Sequence, residues 1–260
     1  MKQLALLLFI TFPIPAHKSQ IIQHHHFHQI LDFISPEDLH SKTIIVLDID
    51  NTIAQPEGLI GSEEWVMHVI NKWADPSITD SRMRFNTIAP LYYDIMHTVD
   101  FIPIELLTCD IIKELQNAGV IVIGLTARSF EVCDRTIEQL DTIGIDLSHA
   151  PLWPDEFWHD CHLEYCHKNG IIFCNGNDKG KVLCHVFDRL NYCPTKIIAI
   201  DDKERHLHAI AKAVCPCIEF VGIRYGYLDE KVKSYDTRAA DQELLAWIMR
   251  QWFFNNQGIV

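Results

Sequence analysis

The chain has 260 residues, 48% of them hydrophobic, and carries 35 acidic against 22 basic side chains for a formal net charge of −13. That length suffices for one domain with a sizeable core plus an insertion or small second domain. No basic stripe and no run of lysines or arginines is present, which argues against a surface that coats nucleic acid; an anionic ligand would need local positive charge from a metal, a lysine or a helix start.

Residues 1–16, "MKQLALLLFITFPIPA", read as a secretory signal. Lys2 gives the charged start, Leu4 to Ile14 an apolar core too short to span a bilayer, and Ala16 a cleavage point. Export to the periplasm or beyond is therefore expected. Residues 17–42, with the run His24-His25-His26-Phe27-His28, are expected to be a solvated leader. The nine cysteines suit an exported chain in which some pair, and an odd count leaves at least one free.

"TIIVLDIDNT", residues 43–52, is an apolar strand that ends in two carboxylates, Asp48 and Asp50. Residues 62–74 form a predicted helix opened by Ser62, Glu63 and Glu64, with Trp65, Val69 and Trp73 at packing positions. A helix is predicted from Pro103 to Asn117, a buried strand over 120–125, and a helix from Ser129 to about Leu140. "GIIFCNGNDKG" reads as a short strand or hairpin arm with an Asn-Gly turn. Gly180 to Leu190 is predicted helical, 196–200 a strand, 203–213 a helix, 217–223 a strand, and 239–254 an amphipathic helix packed on the core. Strands alternating with helices predict an α/β fold: a Rossmann-like parallel sheet with helices on both faces.

Ligands of such sheets bind at the carboxyl ends of the strands. The residues there are Asp48 and Asp50, then Thr126-Ala127-Arg128, then Asp201 and Asp202, with Lys179 just before a helix. Acids at i and i+2 on a strand point the same way. Like charges packed together need a cation, and carboxylate oxygens suit magnesium. A carboxylate nucleophile, a metal, a lysine and a hydroxyl together make a phosphoryl-transfer site.

The four segments resemble the motifs of the haloacid dehalogenase (HAD) superfamily in its phosphatase branch: "DIDNT", "GLTAR", "NDKGKVL" and "AIDDKERHL", in order, over residues 43–223. The resemblance implies that Asp48 attacks phosphorus and that Asp50 is the general acid and base. It implies that Mg2+ is held by Asp48, the Asp50 backbone carbonyl and an acid of the fourth motif, Asp202 being preferred and Asp201 supporting. Thr126 and Lys179 are implied to bind the phosphoryl group. Lys181 is the rival to Lys179, but the two would face nearly opposite ways on a helix. Arg128 is a candidate for touching substrate or for capping local structure. Asp50 itself favours phosphate-ester chemistry over dehalogenation. About seventy residues separate Asp50 from the next core strand, too many for a plain connection, and resemble the family's helical cap. The expected organisation is a core of 43–56 and 101–260 with a cap insertion at 57–100. Trp65, Trp73, Tyr92, Tyr93, Arg82 and Arg84 lie in that cap, and the 145–178 segment is expected as a second, irregular insertion at the rim. The signal, the segment leading to Lys179 and the length resemble an uncharacterised branch of these phosphatases found in intracellular bacterial pathogens.

The expected activity is that of a magnesium-dependent phosphatase acting on a phosphorylated substrate of open class. The competing reading is a non-catalytic binding protein on the same fold, directed at a host protein. Cys161, His162, Cys166 and His167 could bind zinc, although their spacing matches no zinc module, and a disulfide or loop packing is the preferred reading.

Overall fold

A computed structural model describes residues 19–40, 42–150, 155–159 and 163–257. The expected signal at 1–16 lies outside them. In chain order the strands are β1 (Ser19–His24), β2 (Thr43–Leu47), β3 (Ala54–Pro56), β4 (Phe101–Pro103), β5 (Ile121–Thr126), β6 (Glu156–His159), β7 (Glu164–Lys168), β8 (Ile171–Phe173), β9 (Lys196–Asp201) and β10 (Glu219–Tyr225). The α-helices are α1 (Glu63–Trp73), α2 (Ser81–Asn86), α3 (Ala89–Met96), α4 (Thr108–Asn117), α5 (Cys133–Thr142), α6 (Lys179–Arg189), α7 (Glu204–Ala213), α8 (Asp229–Lys233) and α9 (Thr237–Gln257).

Eight strands form one sheet in the order β1-β10-β9-β2-β5-β8-β7-β6. The pairings from β1 through β8 are parallel, and β7 runs antiparallel to both of its neighbours. All five residues of β2 are buried, as a central strand covered on both faces requires. Alternation divides them between two cores. Ile45 and Leu47 pack with residues of α1, α4 and α5, whereas Ile44 and Val46 pack with residues of α6 and α7. The fold is therefore the expected α/β class. Among the described residues no helix is long and apolar enough to cross a membrane.

Four sequence expectations are corrected. Residues 17–42 are not a solvated leader: Ser19–His24 pairs in parallel along β10, from Ser19 opposite Phe220 to His24 opposite Tyr225, and Phe27 and Ile30 are core residues. The histidine run hid a β-branched pair, Ile21-Ile22, which supplies the edge strand. The helix expected from Pro103 starts at Thr108, because Phe101–Pro103 is taken up in a two-stranded antiparallel flap with Ala54–Pro56. The 145–178 segment is not wholly irregular: its described residues extend the sheet through β6, β7 and β8. The β7–β8 turn is closed by Asn169-Gly170, both at positive φ, the hairpin chemistry of an Asn-Gly pair. Asn175-Gly176, also at positive φ, instead leads β8 toward α6. Trp73, expected to pack, is 48% exposed.

Helices α1, α2 and α3 occupy the segment between the flap strands. Ser62 caps α1 by accepting from the Trp65 N–H at 3.1 Å, and Asp80 caps α2 by accepting from the Met83 N–H at 2.8 Å, as side-chain oxygens at a helix start do. Trp65 and Val69 anchor α1 in the main core, and α2 is left with no buried residue.

Candidate active site

β2, β5 and β9 lie side by side, so their carboxyl ends bring Asp48, Thr126 and Asp201 together. The backbone at the tip of β2 turns at once. Asn51 adopts φ 59°, a left-handed conformation that asparagine tolerates better than most residues, and its side-chain amide donates to Glu64 at 2.8 Å.

Asp48 and Asp201 are both buried and share one cation. The Lys179 ammonium, itself only 2% exposed, lies 2.7 Å from Asp48 Oδ1 and 2.6 Å from Asp201 Oδ2. Lys179 opens α6, behind the N-cap Asp178, whereas Lys181 is exposed. The lysine reaches this depth because α6 lies against α7: a β-carbon on Gly180 would fall 2.2 Å from the Ala209 carbonyl oxygen. The His206 Nδ1–H donates to both Asp201 oxygens at 3.1 Å. Two carboxylates on one lysine leave an excess of negative charge. Burial, with Asp201 alongside, pushes Asp48 well above the usual carboxylate range. Burial acts the same way on Asp201, but Lys179 and His206 together outweigh it and hold Asp201 low. Asp48 and Asp201 outweigh burial at Lys179 and raise its affinity for the proton.

Asp202 points elsewhere. Its carboxylate accepts from Lys203 Nζ at 2.9 Å, and Lys203 also pairs with Glu63 of α1 at 3.0 Å. Burial pushes Asp202 up to about 7 despite Lys203. Asp48, Asp201 and His206 present ligand atoms within 4.8 Å of one another. Of the two fourth-motif acids it is thus Asp201, rather than the preferred Asp202, that shares this group with Asp48.

Arg128 lines the cleft and is also held by side chains around it. It is buried, and its guanidinium grips Asp50 as a fork, Nε to Oδ2 at 2.8 Å and Nη2 to Oδ1 at 2.7 Å. Its third arm, Nη1, donates to Thr136 Oγ1 at 2.9 Å and to Gln139 Oε1 at 3.1 Å, both on α5. The fork fixes both the position and the plane of the Asp50 carboxylate. It also raises the arginine's own hold on its proton, against the opposing effect of burial. Thr126 Oγ1 accepts from the Arg128 N–H at 3.1 Å, and its hydroxyl proton can still be donated into the cleft.

These residues open into a cleft of about 450 Å³, within the size range of small-molecule sites. Its floor includes Asp48, Asp50, Thr126 and Asp202. From the 57–100 segment, Val66, Arg82, Phe85, Tyr92 and Tyr93 line it. Tyr93 meets Ser129 at 3.2 Å, and Phe85 packs edge-on against both tyrosines. Arg82 also pairs with Glu164 of β7 at 2.8 Å, so the 57–100 segment and the β7 hairpin meet across the cleft. Arg84 turns away to Asn71.

Sequence reasoning missed His206, Lys203, Glu63 and Glu164. Only His206 had a sequence signal, standing five residues after Asp201 and thus within the first turn of the helix that follows β9. The cluster of Cys161, His162, Cys166 and His167 is described only in part. Its first two members lie outside the described residues, and Cys166 and His167 are successive strand residues that face opposite sides of the sheet.

Over residues 23–258 the chain matches the family described as "Protein of unknown function (DUF2608)". No curated protein matches it. Similar solved structures include a HAD-superfamily hydrolase from Ehrlichia chaffeensis, 13% identical with a TM-score of 0.41 over 72% of this chain and 88% of that one. Another is a HAD-superfamily hydrolase of subfamily IA, variant 1, from Geobacter sulfurreducens, 12% identical with a TM-score of 0.39 over 74% of this chain and 97% of that one.

Proposed function

The chain belongs to the DUF2608 family, and from the chemistry of its cleft we propose that it is a magnesium-dependent phosphatase that hydrolyses a phosphate monoester through an aspartyl-phosphate. One observation carries the reading: a buried nucleophile candidate, Asp48, held by Lys179, stands two residues from a solvent-reaching carboxylate, Asp50, clamped by Arg128, in one cleft with the Thr126 hydroxyl.

The donor set fits a small hard cation. Asp48 and Asp201 converge on one lysine, and burial, then the Asp201 and Asp202 charges, raise Asp48 against the pull of Lys179. Asp48 and Asp201 would hold magnesium, with the Asp50 backbone carbonyl and Asp202 beside them, and His206 would orient Asp201 from behind. When bound, the ion supplies positive charge to both the carboxylates and the phosphoryl oxygens.

Asp48 attacks phosphorus and the bond to the leaving oxygen breaks. Lys179 and Thr126 take the charge that gathers on the phosphoryl oxygens. Asp50 protonates the leaving oxygen, then removes a proton from the water that hydrolyses the aspartyl-phosphate. Arg128 does not touch substrate in this scheme; it keeps Asp50 aimed. Export belongs to the same proposal: the mature chain begins near His17 and acts in the periplasm or outside the cell.

The reading is tested by phosphate release with and without EDTA, together with rapid quench using labelled substrate. Asp48→Asn should give no phosphoenzyme. Asp50→Asn should slow turnover by roughly two to four powers of ten while labelled phosphate accumulates on Asp48. Full turnover in EDTA, or in Asp48→Asn, refutes it. Mass spectrometry of the periplasmic fraction tests export, and a chain retaining Met1 there counts against it.

A further inference from the structure

A cleft of about 450 Å³ has room for far more than a phosphoryl group. On the side formed by the 57–100 segment it is walled by three rings, Phe85 of α2 and Tyr92 and Tyr93 of α3. They pack edge-on as one cluster. Their centroids lie 5.4 Å (Phe85–Tyr92), 6.4 Å (Phe85–Tyr93) and 5.7 Å (Tyr92–Tyr93) apart, with the planes inclined by 70°, 67° and 63°. Phe85 and Tyr93 are only partly buried, and both line the cleft. Phe85 is not consumed as a core anchor, since α2 has no buried residue. Tyr93 is fixed by the Ser129 hydroxyl, which donates to its phenolic oxygen at 3.2 Å.

Polar groups accompany the rings. Arg82 precedes Phe85 by three residues on α2 and so shares its face. Its guanidinium reaches Glu164 at 2.8 Å, and Asn175 donates to the same carboxylate at 2.8 Å. Asn86 is exposed and lines the cleft as well. A wall of rings with hydrogen-bonding groups beside it suits a flat ring with a polar edge. A polyol would set hydroxyls against ring faces that cannot pair with them, and an alkyl chain would forgo ring-on-ring contact.

Resting on the phosphatase reading, we propose that the substrate is a phosphate ester whose alcohol carries a flat aromatic ring, an aryl group or a nucleobase, seated against Phe85 and Tyr93. The phosphoryl group sits at Asp48, in the same cleft. The ring lies away from the bond that breaks, so its contact is made alike in the ground and transition states and acts on KM rather than kcat.

The test uses four esters of primary alcohols, so that the leaving oxygens are alike: 2-phenylethyl phosphate, adenosine 5′-monophosphate, ethyl phosphate and n-hexyl phosphate. With the full chain and Mg2+, kcat/KM for at least one ring-bearing ester should exceed that for ethyl phosphate by roughly ten- to a hundredfold, mainly through KM, and should exceed that for hexyl phosphate too. The ester that leads says whether the ring is aryl or nucleobase. Phe85→Leu keeps apolar bulk without the flat face and should shrink the ratio by about tenfold, and Phe85→Tyr should restore it. Calorimetry with 2-phenylethylphosphonate, the 5′-phosphonate of adenosine and ethylphosphonate reads the same wall without turnover. If no ester is hydrolysed but a ring phosphonate binds about tenfold tighter than ethylphosphonate or more, the phosphatase reading falls and the ring site stands. If esters are hydrolysed with no preference for a ring, if hexyl phosphate matches both ring esters, or if the three phosphonates bind alike or not at all, the ring site is refuted.

Discussion

Replacing Lys179 by methionine removes the one cation shared by two buried carboxylates. Asp48 and Asp201 have side chains only 8% and 3% exposed, and the lysine is 2.7 and 2.6 Å from them. Methionine keeps most of the stem's volume, so the loss is chiefly electrostatic. Breaking a buried pair by removing one partner costs about 3–5 kcal/mol, and this lysine serves two partners, so the upper part of that range is expected in EDTA. For a chain of this size that is a fall in melting temperature of roughly 8–20 °C. Magnesium should restore part of it, because a divalent ion replaces the missing charge. At a free concentration of about 100 Kd the linkage is worth about 2.7 kcal/mol. Activity should not return with stability. Lys179 is also assigned to phosphoryl oxygens, and losing one such donor costs about two to three powers of ten in turnover. The assay is urea denaturation with and without magnesium, paired with phosphate release. A variant within 1 kcal/mol of wild type in EDTA would show that the two carboxylates do not depend on this lysine and would refute the reading of the site.

Three further outcomes are expected. In EDTA, Asp202 should make the fold less stable as pH rises: its folded pKa of about 7 lies above its unfolded value near 3.8, so its contribution is intact below about pH 4 and lost on the way to pH 7. Urea midpoints at pH 5 and pH 8 should therefore differ less in Asp202→Asn than in wild type, and equal pH dependence in the two refutes the assignment. Gly180→Ala should cost about 1–3 kcal/mol by overpacking and lower turnover, because its new carbon meets the Ala209 backbone and displaces the start of α6; unchanged denaturation curves would contradict this. Arg128→Lys should keep a charge but lose the fork. Turnover of alkyl phosphates, which need the Asp50 proton, should fall further than that of p-nitrophenyl phosphate, and an equal loss on both would argue against a positioning role.

The parts of the fold visible in the sequence are those fixed by local composition. β2, β5 and β9 are runs of β-branched and aliphatic residues too short for helices, ended by polar residues, and they fall where expected. Their common polar ends could also be read, because a parallel sheet presents its ligand site on one side. The edge strand β1 was concealed for the opposite reason. Its sequence, Ser19–His24, is two-thirds polar and runs into a histidine cluster, and only the free edge of β10 makes it a strand. Composition alone cannot report a vacant sheet edge far along the chain.

The same distinction divides the site. Asp48, Asp50, Thr126, Lys179 and Asp201 announce themselves by residue type and position after a strand or before a helix. Which groups hold them is a matter of tertiary distance. Arg128 stands two residues after Thr126, in the ordinary place for a substrate contact, yet its fork is taken up by Asp50. The choice between Asp201 and Asp202 likewise turns on the twist at the end of β9. One carboxylate is sent inward to Lys179 and His206, and the next to Lys203, which also pairs with Glu63. Adjacent strand residues must diverge in this way, so a double acid there supplies one member to the charge cluster around Asp48. The other fastens the 57–100 segment to the sheet, because Glu63 reaches Lys203 from the first turn of α1. Loss of Asp202 should accordingly loosen α1 before it empties a metal site, which separates the two acids by hydrogen exchange at α1 even where both variants lose turnover.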